Sequence, residues 1–267
     1  MKVVILCGGL GTRLREETQI KPKPLVTIGE KPILWHIMQL YSYFGFNDFV
    51  LALGYKGEMI KQYFLNYHFL ESDFNINLAN GEIKHLNKHQ KKWKIDLVDT
   101  EKDTLTGGRL RRLRSYLGND TFMLTYGDGV SNVNIQQLLE FHRSHGKLAT
   151  ITAVHPVARF GEMQLEKNKV LDFKEKPQTQ QGWINGGFFI FESGVFDYLQ
   201  DDKTILEQSP LENLAHDQQL MAYPHEGFWY CMDTIRDVQM LESLWAMGSA
   251  PWNFFSKKTD VIDQELA

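Results

Sequence analysis

The chain has 267 residues, 29 Lys and Arg against 33 Asp and Glu for a formal net charge of −4, and 43 % hydrophobic and 12 % aromatic residues. That length can bury a sizeable core, and the aromatic-rich composition excludes a chain that fails to collapse. An acidic balance with no basic tail excludes a whole-molecule field suited to nucleic acid, so any phosphate recognition must be local. Two cysteines, Cys7 and Cys231, are too few for a disulfide framework and lack the paired spacing of a zinc site, which fits a reducing cytoplasm. No apolar run approaches the roughly 20 residues that span a bilayer, and the one near the N-terminus is too short for a signal-peptide core, so neither export nor membrane insertion is expected.

No fixed-period repeat and no Pro-, Ser- or Gly-rich linker divides the sequence, which reads as one continuous domain over 1–267. Apolar runs of strand length alternate with amphipathic stretches of helix length. This is the pattern of βαβ units and of an α/β fold: a doubly wound, mostly parallel sheet with helices on both faces. Strands are expected at 2–6, 49–53, 95–98, 122–125 and 149–154, and helices at 32–44, 58–67, 110–117 and 135–144. In the first helix Ile33, Ile37, Leu40, Tyr41 and Phe44 recur at helical spacing behind Pro32, and Gly45 ends it.

The second half reads differently. Segments 161–165 and 170–174, joined by the turn-forming Lys167-Asn168, predict an antiparallel hairpin, and 185–191 predicts a further strand. Segments 220–223 and 228–231 suggest another short pair, followed by a closing helix at 235–247. An antiparallel excursion of this kind is a platform for a second substrate. The tail from Ser256 has little periodicity.

Chemistry concentrates in Cys7-Gly8-Gly9-Leu10-Gly11-Thr12-Arg13-Leu14, directly after the first strand. Three glycines in four positions let several amide N–H groups converge on one anion, so the turn reads as a phosphate cradle. A dinucleotide fingerprint would need a third glycine three residues after Gly11, and a Walker A loop would need Lys-Ser or Lys-Thr; neither is present. Arg13 adds a charged fork for phosphate oxygens. The same residues also suit an ordinary tight βα turn with a solvated arginine. Further on, Lys21-Pro22-Lys23-Pro24-Leu25 reads as a stiff, extended strap presenting two ammonium groups, or alternatively as a solvated basic loop.

Arg109, Arg111, Arg112 and Arg114 fall on one predicted helix, a basic stripe that on an acidic chain is read as a solvated face. His85 and His89 have helical metal-ligand spacing, but Lys84, Lys88, Lys91 and Lys92 around them argue against a cation. Trp35, Trp183, Trp229, Trp245 and Trp252 are expected in the core or at a subunit contact, with Trp229 also placed to wall a pocket.

The glycine-rich turn, the Lys-Pro strap and Gly29-Glu30-Lys31-Pro32-Ile33-Leu34-Trp35-His36 together resemble the sugar-1-phosphate nucleotidylyltransferases. The resemblance continues through Asp99-Thr100, Thr106-Gly107-Gly108-Arg109, Tyr126-Gly127-Asp128-Gly129, Arg159-Phe160-Gly161, Glu175-Lys176-Pro177, Ile184-Asn185-Gly186-Gly187-Phe188 and Met232-Asp233-Thr234. Each fragment is weak alone; their order along the chain carries the resemblance. Cys7 stands where the family commonly has a small residue and Glu30 where glycine is frequent.

The resemblance implies a Rossmann-like nucleotidyltransferase fold with an antiparallel sugar-binding extension. A nucleotide-binding part would cover about 1–130 and a sugar- and metal-binding part about 131–250. It further implies transfer of CMP from CTP to α-D-glucose 1-phosphate, giving CDP-glucose and pyrophosphate by Mg2+-assisted in-line attack on the α-phosphorus. Asp128 and Asp233 would hold the Mg2+. Leu6, Gly8, Gly9, Gly11 and Thr12 would hold the nucleotide, Arg13 the departing β- and γ-phosphates, and Lys23 the α-phosphate. Thr106, Gly107 and Arg109 would line the base pocket, while Gly161, Glu175, Lys176, Asn185 and Gly186 would hold the sugar phosphate. A cytoplasmic homo-oligomer, up to a hexamer, without nucleic-acid or membrane partners, is implied as well, its product feeding the deoxysugars of surface polysaccharide. Transfer of dTMP or UMP, a non-catalytic regulatory homologue and a dinucleotide-dependent oxidoreductase are the alternatives; the missing third glycine counts against the last.

Overall fold

Alternation along the first strand, β1 (Lys2–Cys7), puts Val3, Ile5 and Cys7 in one hydrophobic cluster and Val4 and Leu6 in the other, all five buried. A strand covered on both faces belongs inside a sheet with helices on each side. The computed structural model, which describes residues 1–86, 91–156, 162–174 and 182–254, has that form. The further strands that build the site are β2 (Asp48–Leu53), β3 (Lys94–Asp99), β4 (Phe122–Tyr126), β5 (Gly129–Ser131), β6 (Ala149–Val154), β7 (Ile184–Phe191), β8 (Leu220–His225) and β9 (Trp229–Cys231).

Seven of these form one sheet in the order β8-β6-β7-β4-β1-β2-β3. The neighbours β4, β1, β2 and β3 run parallel, as do β6 and β8, while β7 is antiparallel to both of its neighbours. Helices α1 (Ile33–Tyr43), α3 (Ile135–His145) and α4 (Ile235–Ala246) pack on the face of Val3 and Ile5, and α2 (Thr106–Arg112) packs on the face of Val4 and Leu6. Asn134 caps α3 by accepting from the Gln137 amide at 3.0 Å. Among the described residues no helix is long and apolar enough to cross a membrane.

Several expectations change. Segments 220–223 and 228–231 do not pair with each other: β8 extends the large sheet beside β6, while β9 pairs antiparallel with β5, a three-residue strand too short to show a period. The Lys-Pro strap is not extended throughout, because Lys23–Leu25 closes a 3-10 turn, with Pro22 still at φ −66° and ψ 149°. The basic helix is two short helices, Thr106–Arg112 and Arg114–Leu117. His85 ends a strand, Glu82–His85, hairpinned to Phe74–Asn77, so the helical spacing of a metal pair does not apply; His89 lies outside the described residues. That hairpin is exposed throughout and has no buried face to give it a pattern. The expected hairpin after β6 is present as Glu162–Glu166 and Lys169–Lys174.

Candidate functional site

The carboxyl ends of β1, β2 and β4 open on one side of the sheet, where a parallel arrangement collects its ligand-binding loops. After β1 the chain passes through Gly11 at φ +62°, and a Cβ there would lie 2.6 Å from Thr18 Cγ2. Thr18 closes the turn by donating its hydroxyl to the carbonyls of Gly11 (3.1 Å) and Leu14 (2.9 Å). Leu6, Gly8, Gly9, Gly11, Thr12 and Arg13 line a cleft of about 310 Å³, together with Lys23, Tyr126 and Asp128.

Two carboxylates 105 positions apart in sequence meet at the lip of this cleft. Asp128 sits in the turn between β4 and β5, and Asp233 directly follows β9 and Met232. The β5–β9 ladder pairs Gly129 with Cys231, and the Met232 amide donates to the Asp128 carbonyl at 2.9 Å, which draws the two acids together. Asp233 is not the cap of α4. Thr234 holds that position in a capping box with Asp237, whose carboxylate also accepts from the Asp233 amide at 3.0 Å.

Lys23 Nζ lies between the acids, 2.5 Å from Asp128 Oδ2 and 2.8 Å from Asp233 Oδ1, and Arg13 donates to Asp233 Oδ2 at 2.6 Å. Burial alone would push the Lys23 ammonium down, but the Asp128 charge and the hydrogen bonds to both acids raise it to about 12. For Asp233 burial works upward, and the Lys23 and Arg13 partners outweigh it to hold the carboxyl below its ordinary value. Cys231 lies in the same group: its Sγ and one oxygen of each acid all fall within 4.8 Å of one another, and burial pushes its thiol up. An ammonium seated between two short carboxylates marks a place shaped for a small cation, and this oxygen pair suits a hard divalent one.

Arg109 also lines the cleft and is 4 % exposed. Nη1 donates to the Leu53 carbonyl (3.0 Å), Thr100 Oγ1 (2.7 Å) and the Glu101 carbonyl (2.8 Å). Nη2 donates to the carbonyls of Gly8 and Lys102, both at 3.1 Å. It therefore ties together the carboxyl ends of β1, β2 and β3. Gly8 and Gly54 make room for it, since a Cβ at either would come within 2.4 Å of the guanidinium. Thr106 lines the cleft, but its hydroxyl is engaged by Glu207 and the Leu206 amide; Gly107 packs on Thr204 and is not part of the lining.

Of the expected sugar-side residues, Gly161, Glu175 and Lys176 lie outside the described residues. Asn185 donates to the Tyr126 hydroxyl at 3.1 Å, and the Gly186 carbonyl accepts from Trp229 Nε1 at 2.7 Å. Tyr126 donates in turn to Glu207 at 2.5 Å. Sequence reasoning did not single out Tyr126, Glu207, Thr104 or Cys231 for the site. The short Tyr-Gly-Asp-Gly fragment was the available signal for Tyr126; a partner such as Glu207, brought in from another loop, leaves none.

The family model of nucleotidyl transferases matches residues 2–249. The chain belongs to the nucleotidyl transferase family. It is 49 % identical over 253 residues to a glucose-1-phosphate cytidylyltransferase of Salmonella typhi, covering 94 % of this chain and 98 % of that one. It is 46 % identical to a probable glucose-1-phosphate cytidylyltransferase of Bacillus subtilis, covering 94 % and 99 %. Among solved structures, a putative glucose-1-phosphate thymidylyltransferase from Bacillus anthracis superposes with a TM-score of 0.67 at 19 % identity, covering 95 % and 97 % of the two chains, a likeness of fold. The chain is thus a nucleotidyltransferase enzyme, and its fold is the one the family resemblance implied.

Proposed function

We propose that this chain transfers CMP from CTP to α-D-glucose 1-phosphate, releasing pyrophosphate, with Asp128 and Asp233 holding Mg2+. The observation that carries the reading is the Lys23 ammonium bridging the two carboxylates at the lip of the glycine-rich turn. The relatives at 49 % and 46 % identity, both covered almost end to end, carry that activity in their names.

Two polyanions must approach each other, so the chemistry is one of position and charge. Asp128 and Asp233 would hold Mg2+, which would supply charge neutralisation for the phosphates. The amides of Gly8, Gly9, Gly11 and Thr12 cradle the phosphates, and the exposed Arg13 reaches the β- and γ-phosphates. Lys23, which lines the same cleft, serves the α-phosphate and stabilises the charge that builds there. A sugar-phosphate oxygen attacks the α-phosphorus as the bond to the pyrophosphate oxygen breaks, with no covalent enzyme intermediate.

Arg109 acts here by fixing the Gly8 carbonyl and the loops around it, and Thr106 borders the base; Leu6 forms the adjoining wall. Selection of cytosine needs an acceptor for its amino group, a demand that a backbone carbonyl meets. Asn185 and Gly186, with Gly161, Glu175 and Lys176, would complete the sugar side. Self-association belongs to this reading too, supported by Leu65, Leu70 and Leu78, apolar side chains exposed in the stretch between β2 and β3, and light scattering measures it. The test of function is pyrophosphate release over a matrix of nucleoside triphosphates and hexose 1-phosphates. Release with CTP and glucose 1-phosphate, dependent on Mg2+, is expected; equal or faster release with dTTP or UTP overturns the base assignment.

A further inference from the structure

We propose that Cys231 is a third donor of the cation centre, so that a thiophilic divalent ion is held there by the Cys231 thiolate together with Asp128 and Asp233. The inference rests on the reading of those two acids as cation ligands. The thiol sits on β9 opposite Gly129, next to Asp128, and two residues before Asp233. Its Sγ lies within 4.8 Å of an oxygen of each acid, and the Lys23 ammonium already bridges the two acids.

Donor atoms around one tetrahedral ion, with bonds of about 2.1–2.3 Å, lie about 3.6 Å apart. The three atoms therefore need to close by about 1.2 Å at most, which side-chain rotation supplies once the Lys23 ammonium withdraws to solvent or to a phosphate. Mg2+ prefers an all-oxygen shell and leaves the sulfur aside, whereas Zn2+ and Cd2+ prefer to include it. When such an ion binds, an Sγ–metal bond replaces the Sγ–H bond, the proton passes to buffer, and no electron is transferred. The centre thereby acquires a thiolate donor for which Mg2+ does not compete, and the enzyme becomes sensitive to thiophilic ions.

The experiment titrates Cd2+ alone into the nucleotide-free enzyme and follows the ultraviolet thiolate-to-cadmium charge-transfer band. In parallel, Mn2+ alone is titrated and followed by electron paramagnetic resonance. The wild-type chain and Cys7→Ser should each give the band at one Cd2+ per chain. Cys231→Ser and Cys231→Ala, checked for native circular dichroism, should lose it and bind Cd2+ at least about tenfold more weakly, the scale on which groups supporting a metal site act. A band that survives in both Cys231 variants, a band lost in Cys7→Ser, or no band in the wild type overturns the proposal. Mn2+ separates the two readings. If Asp128→Asn and Asp233→Asn lose Mn2+ while the Cys231 variants keep the band, the carboxylate reading stands and the thiol inference falls. If both Asn variants bind Mn2+ like the wild type, the carboxylate reading itself fails.

Discussion

Lys23 and Arg109 are buried cations lining one cleft, and their partners differ in kind. Lys23 is held by two carboxylates that can serve any cation, so its place is exchangeable. Arg109 is held by five uncharged acceptors at the carboxyl ends of three strands, an arrangement that no incoming ion improves. The first arrangement suits a group that moves during a reaction, and the second a group that holds the stage still. A geometric fork reaching several carbonyls is also something only arginine offers.

The largest expected effect tests the exchangeable side. Asp128→Asn and Asp233→Asn should each lower turnover at least about 100-fold, the scale of one lost transition-state contact. Steady-state rates near normal would remove the cation from this wall. Lys23→Ala should lower turnover far more than Lys21→Ala, since among the described residues the ion pair of Lys21 is with Glu17, at 3.4 Å near the surface. The reverse order in the same assay would mean that the second lysine of the strap is not the reacting one.

Arg109→Ala probes the fixed side. It leaves several buried carbonyls short of a donor and opens a cavity, so a loss of about 4 kcal/mol in urea unfolding is expected. Arg109→Lys should lose about half as much, because an ammonium reaches fewer of the loops. If Arg109→Ala instead unfolds like the wild type and only its KM for nucleotide rises, Arg109 belongs with Lys23 as a ligand contact, and the contrast disappears.

His36 supplies the neutral extreme of the same series. It is 2 % exposed; its Nε2 donates to the Ile28 carbonyl at 2.9 Å, and its Nδ1 accepts from Trp252 Nε1 at 3.3 Å. Burial lowers it from 6.5 to about 4, against the hydrogen bonds that oppose the shift. The unfolded chain therefore binds the proton first. Stability is full above pH 6.5 and falls as the pH drops from 6.5 to 4, by about 3 kcal/mol from this group. Urea midpoints at several pH values should show a slope that is smaller in His36→Gln; equal slopes would mean the imidazole is not held neutral.

The parallel half of the fold was legible because β1, β2 and β4 are apolar runs between amphipathic helices, a signal that sidedness creates and burial enforces. Asp128 and Lys23 were legible through the family resemblance, each inside a short ordered fragment. What was not legible was pairing between distant short strands. Nothing in Phe228-Trp229-Tyr230-Cys231 says that its partner is β5 and not β8, yet that choice is what brings Asp233 to Asp128. The hydrogen bonds of Arg109 were not legible for a related reason: a buried arginine serving carbonyls and one serving phosphates have the same neighbours in sequence.

The smallest expected effect concerns what keeps Asp233 available. An aspartate just before a helix is a natural cap, and here Thr234 takes that work by accepting from the Asp237 amide while Asp237 holds the amides of Asp233 and Thr234. Thr234→Ala should cost about 1 kcal/mol in urea unfolding, the usual scale for a lost cap. Mn2+ affinity should fall by less than the Asp233→Asn variant loses, because the Asp237 carboxylate still anchors the Asp233 amide. A collapse of Mn2+ binding to the Asp233→Asn level would mean that Asp233 had swung round to cap α4. In that case a single hydroxyl, and not the β5–β9 ladder, is what leaves the exchangeable wall its second acid.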